Sequence, residues 1–174
     1  MGQLQNNGLD ALKKKKLLPI ILATEENPFI LASRFAKLCA YFEINFIKNK
    51  QLFYFAKNLS MEITRWNAKD FFHGKYAKGH GYFNMLAAIL IAPKRLQFIY
   101  DLREAELLEA MFPEIGKSVS FKSDTVKKIE KAKNVQSIVF ALESTLEESP
   151  KMLKKFKKRL EIISDRLKKD GNQK

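Results

Sequence analysis

The chain has 174 residues, 46% of them hydrophobic and 14 of them phenylalanine, with a formal charge of +13. That length and apolar content fit one domain burying roughly 70% of its unfolded surface, and they exclude a mostly disordered chain or one that depends on disulfide staples. The charge is spread along the chain, with 13 basic and 6 acidic groups in residues 1–87 and 19 and 13 in residues 88–174, so an anionic partner is expected to meet a basic body and not a basic tail.

At the N-terminus, Lys13 to Lys16 precede the apolar run Leu17 to Ala23, which imitates the charged and apolar regions of a signal peptide. The run is short, contains Pro19 and leads into Thr24, Glu25 and Glu26 without a small-x-small site. Met1-Gly2 with the lysine run suggests an acylated anchor, but Asn6 stands where that motif wants Ser or Thr. No run reaches the ~18 apolar residues of a spanning helix. With Cys39 as the single cysteine, a reducing, cytoplasmic setting is expected, and its apolar neighbours predict a buried thiol.

Asn27-Pro28 predicts a helix start, a capping side chain followed by proline at the first helical position. Leu31, Phe35, Leu38, Phe42 and Phe46 then make a core stripe, with Arg34, Lys37, Tyr41 and Lys48 on the opposite side. Leu52, Phe55, Leu59, Ile63 and Trp66 make a second stripe. Asn67 to Gly81 reads as an irregular connector holding Gly74, Gly79, Gly81, His73 and His80 alongside Lys75 and Lys78. Because Gly79 to Gly81 lead into the apolar segment at Tyr82, free amides there could hold an anion at a helix N-terminus. Gly74 and Gly79 have P-loop spacing, but His80 and Gly81 occupy the Lys and Ser/Thr positions, which excludes nucleotide hydrolysis.

Tyr82 to Phe112, broken at Pro93, is apolar on two sides and reads as the central element of the core. A connection follows with a short strand at Val119 to Phe121, then a helix from Ser123 or Asp124 to Lys133. Asn134 to Leu146 is ambiguous between helix and strand. The last element is the most legible. Ser149-Pro150 starts it, Leu153, Phe156, Leu160, Ile163 and Leu167 form its apolar stripe, and Asp170-Gly171 stops it. Lys154, Lys155, Lys157, Lys158 and Arg159 are expected to face outward.

Scarce Val and Thr, at four each, favour helix. The expected fold is mainly α, a single-domain bundle of six or seven helices over 1–174, with a basic segment at 1–18 and a basic amphipathic helix at 150–170. The competing arrangement is α/β, with short buried strands near 19–23, 52–56, 88–92 and 136–142.

The acids Asp101, Glu104, Glu106 and Glu109 have Lys94, Arg95 and Arg103 as local salt-bridge partners, which argues against a paired-carboxylate active site. No serine elbow and no metal-ligand spacing is present, so neither cofactor nor metal is expected. The expectation is a non-enzymatic accessory protein that binds nucleic acid through backbone phosphates. It would use Arg34 and Lys37, then Lys75, Lys78, Gly79 and Gly81, then Lys154, Lys155, Lys157, Lys158 and Arg159. With 26 lysines to 6 arginines, base reading by bidentate arginine would be minor, although an AT-rich coding sequence gives the same bias. The alternative is a helical adaptor or subunit without nucleic-acid contact, docking an acidic protein or forming an oligomer through the C-terminal helix.

Overall fold

The computed structural model describes residues 27–68 and 74–172, and their regular structure is helical throughout. In chain order the helices are α1 (Pro28–Tyr41), α2 (Lys50–Ala68), α3 (Gly74–Ile91), α4 (Arg95–Glu104), α5 (Leu107–Met111), α6 (Ser123–Lys131), α7 (Val135–Ser144), α8 (Pro150–Leu160) and α9 (Ser164–Gly171), with 3₁₀ turns at Pro113–Ile115 and Glu161–Ile163. The mainly-α bundle therefore stands, divided more finely than the pattern suggested, because α5 is little more than one turn and α8 passes through a 3₁₀ turn into α9. The strand alternative fails. Residues 52–56 and 136–142 are helical, as are 88–91, and 19–23 and the basic segment at 1–18 lie outside the described residues. Short apolar runs carry no period of their own, and here each belongs to a longer helical stripe.

Local signals start the helices where expected. The Asn27 side chain accepts a hydrogen bond from the Phe29 N–H at 3.0 Å, with Pro28 following. Helix α1 ends at Tyr41, one turn earlier than its stripe implied. Glu43 takes a left-handed φ of 53°, and Phe46 reaches the core from the turn, where it is fully buried.

Helix α3 is the central element, as the sequence predicted. Met85, Leu86, Ala88 and Ile89 have no exposure, because α1, α4, α7 and the second 3₁₀ turn all pack on it. It begins at Gly74, however, and not after Gly81. Gly79 and Gly81 sit inside the helix, each costing about 1 kcal/mol of propensity against Ala. The compensation is tertiary. A Cβ at Gly81 would lie 2.8 Å from the Phe29 carbonyl oxygen and 3.0 Å from its carbonyl carbon, so α1 crosses α3 at a distance only glycine permits. The free-amide site expected at 79–81 is therefore not formed, since these positions are in the second turn of a helix.

Two arginines tie down helix ends and a loop by donating to carbonyls. Arg95 donates to Leu90 near the end of α3 and to Ile129, Glu130 and Ala132 at the end of α6, at 2.8–3.0 Å. A cation at two helix C-termini also complements both dipoles. Arg103, buried, donates to Gly116 and Val119 at 3.1 and 2.7 Å and lies 4.3 Å over the Phe121 ring. The Val119 to Phe121 segment is held that way, and it is not a strand.

The C-terminal stripe closes the core: Phe156, Leu160, Ile163 and Leu167 are buried and Leu153 is half-buried. Rings run continuously from Phe29 to Tyr82 to Phe112 to Phe156, with centroids 6.0, 5.3 and 5.9 Å apart.

Two substitutions separate these effects. Gly81→Ala should destabilise the fold by about 1–3 kcal/mol, because the clash is with backbone. Gly79→Ala meets only Ile162 and Ile163 side chains at 3.4 Å or more and should be neutral or stabilising by up to ~1 kcal/mol. Urea unfolding monitored by circular dichroism reads both, and Leu160→Ala should lose about 2–5 kcal/mol in the same assay.

Candidate anion-binding surfaces

Helix α8 is a lysine ridge on an apolar base. Phe156 and Leu160 turn inward, while Lys151, Lys154, Lys155, Lys157 and Lys158 are exposed. Among the described residues no carboxylate stands within ion-pair distance of them. Glu143 on α7 feels the field of Lys157, but burial dominates and raises its carboxyl above the usual carboxylate range.

Arg159 does not belong to this ridge, which corrects the expectation that it faces outward. Its guanidinium makes a fork on Glu114, Nε to Oε2 at 2.9 Å and Nη2 to Oε1 at 2.8 Å, and donates to the Tyr82 hydroxyl at 3.1 Å. Glu114 is 4% exposed. Burial disfavours the charged guanidinium, but the bonds and charges of Glu114 and Tyr82 more than offset it, so its pKa rises. Burial likewise raises the Tyr82 hydroxyl, with Arg159 opposing. The cluster fastens α8 to α3 and to the turn at Pro113.

A second cationic surface joins three elements. On α1, the Lys37 ammonium donates to Asn84 Oδ1 at 3.3 Å, and Asn84 Nδ2 donates to the His80 carbonyl at 3.0 Å. On α9, the Arg166 guanidinium lies 3.8 Å over the Phe83 ring. Between them His80 lines a groove of about 700 Å³ together with Gly79, Ile162, Asp165, Arg166 and Lys169. Burial, then the charges of Arg166, Arg34 and Lys37, hold the His80 imidazole below its ordinary value.

Of the residues expected to bind anions, Arg34 and Lys37 thus come together with His80. Lys78 is half-buried, its ammonium 5.6 Å over the Phe29 ring, and Lys75 lies in the first turn of α3 with its side chain outside the described set. Gly81 serves helix packing, and Gly79 lies within the helix against Ile162 and Ile163. Arg166 and Lys169 were not singled out from the sequence, although Ile162, Arg166 and Lys169 recur at four and three residues beside the apolar stripe.

The acidic group is dispersed as well. Glu106 pairs with Lys57 at 2.8 Å and with Lys117 at 3.6 Å, and the hydrogen bond from Lys57 is the main cause of its lowered pKa. Asp101 accepts from Gln97, while Arg95 and Arg103 go to carbonyls. Among the described residues no group of His, Cys, Asp and Glu could hold a metal, and no helix is long and apolar enough to cross a membrane. Comparison with family models, with curated protein sequences and with solved structures finds no match.

Removing the inward arginine should matter far more than removing its neighbour. Arg159→Gln leaves a buried carboxylate without its cation and should lose about 2–3 kcal/mol, whereas Lys158→Gln should stay within ~0.5 kcal/mol. Thermal melts of the two variants check this.

Proposed function

We propose that this protein is a non-enzymatic accessory protein that binds nucleic acid through its phosphate backbone. The observation that carries the reading is the α8 ridge. Five exposed lysines follow one another over little more than two turns, where like charges repel and where the first turn lies at the positive end of the helix dipole. Such an arrangement lowers helix stability and has no carboxylate in ion-pair reach among the described residues, so a phosphate partner is the offset it calls for. Lysine suits this role because an ammonium neutralises phosphate as a point charge without a preference for base edges.

In the rival reading, a helical adaptor or subunit without nucleic-acid contact, docking would fall to surfaces other than the C-terminal apolar stripe, which is buried within the chain's own core.

Salt titration tests the reading. Fluorescence anisotropy with single- and double-stranded DNA and RNA should show affinity falling as salt rises, with a logarithmic slope near one per phosphate neutralised. The quadruple change of Lys154, Lys155, Lys157 and Lys158 to Gln should reduce that slope by roughly three to four and leave the fold intact. A quadruple variant that binds as the parent does, or a parent that binds none of these ligands at about 50 mM salt, overturns the reading.

A further inference from the structure

The groove between α3 and α9 differs in kind from the α8 ridge, because it is a concave volume walled by His80 of α3 on one side and by two cations of α9 on the other. Arg166 and Lys169 lie one turn apart on α9 and line it directly, His80 lines it from α3, and the positive charges of Arg34 and Lys37 on α1 reach the same imidazole. A phosphodiester carries one negative charge, whereas a phosphate monoester carries close to two at neutral pH, so a concave site with two cations one turn apart at one end favours the monoester more than an extended ridge does.

The cations are also held in place before any ligand arrives. Among the lining cations Arg166 lies 3.8 Å over the Phe83 ring, and beside the groove Lys37 is tethered at 3.3 Å to Asn84, itself tied to the His80 carbonyl. Groups already fixed lose less freedom on binding. The groove is not purely cationic. Ile162 supplies an apolar wall, and the Asp165 carboxylate accepts hydrogen bonds from hydroxyl or amino groups while repelling any further phosphate.

We propose that this groove binds a phosphate monoester carried on a nucleoside, with Arg166 and Lys169 on the phosphate, Ile162 against the base or sugar, and Asp165 on its polar edge. The monoester is either a free nucleotide or the phosphorylated end of a strand. The second source would deepen the backbone-binding reading by giving it a chain end, but the residues differ, so the two can fail separately.

His80 reports on occupancy. It feels the charges of Arg34 and Lys37 from α1 and of Arg166 from α9, and it shares the groove with Asp165 and Lys169. A bound dianion offsets that positive field, so the imidazole pKa moves upward from its lowered value.

The experiment uses the full chain and four probes: a nucleoside 5′-monophosphate, the same nucleoside without phosphate, and a short oligonucleotide with and without a 5′-phosphate. Calorimetry should show each phosphorylated probe binding at least about tenfold tighter than its unphosphorylated counterpart. The double change Arg166→Gln with Lys169→Gln should erase the difference, and NMR titration should show the His80 pKa rising on saturation with the monophosphate. Equal affinity for free monophosphate and phosphorylated strand assigns the groove to a free nucleotide, and tighter strand binding assigns it to a chain end; both uphold the proposal. If the double variant loses helix content, Lys169→Gln alone carries the same test. No preference for phosphate, or a preference unchanged in a folded variant, overturns the proposal even if long strands still bind. Monophosphate binding without binding of long strands would instead sink only the backbone reading.

Discussion

The rest of this fold depends on two backbones touching. Where α1 passes α3 at Gly81, no side-chain atom fits between the Phe29 carbonyl and the helix, and that approach fixes the crossing about which everything else is arranged. Once α1 lies there, Phe29 meets Tyr82 edge to face, Tyr82 meets Phe112, and Phe112 meets Phe156, so helices distant in sequence are joined by ring contacts of known geometric preference. Gly81, which weakens an isolated helix, thereby strengthens the assembled one. Propensity is a local quantity, and the core is not.

The distribution of cations follows the chemistry of the two side chains. Arg95, Arg103 and Arg159 turn inward to carbonyls, a ring or a carboxylate, where a planar, weakly hydrated fork can place several donors at once. The exposed positive surface is left mostly to lysine. Half of the arginines are thus committed to the protein's own architecture, while Arg34, Arg65 and Arg166 stand exposed among the lysines.

What was legible in the sequence was whatever repeats within one element. The stripe from Leu153 to Leu167 and the Asn27-Pro28 start could be read because period and cap chemistry are local. Gly79 and Gly81 could not, since glycine composition signals a break unless one knows that another helix passes there. Arg159 shares a face and a charge with its lysine neighbours, and only Glu114, 45 residues away after a proline, distinguishes it. The groove was hidden for the same reason. Arg166 and Lys169 form a visible row, but its meeting with His80, Lys37 and Arg34 is made by the tertiary fold.

Cys39 turns this architecture into an internal sensor of its own opening. The thiol is 1% exposed on the buried face of α1, and burial pushes its pKa well above that of a free thiol, so the native form offers almost no thiolate to an alkylating reagent. Reaction must wait for the C-terminal end of α1 to open where Cys39 packs beside Ala92, Pro93 and Phe98. Because the chain has no other cysteine, every modified molecule records opening at that one position, and the labelling rate divided by that of an unprotected thiol gives the fraction of time this end of α1 is open.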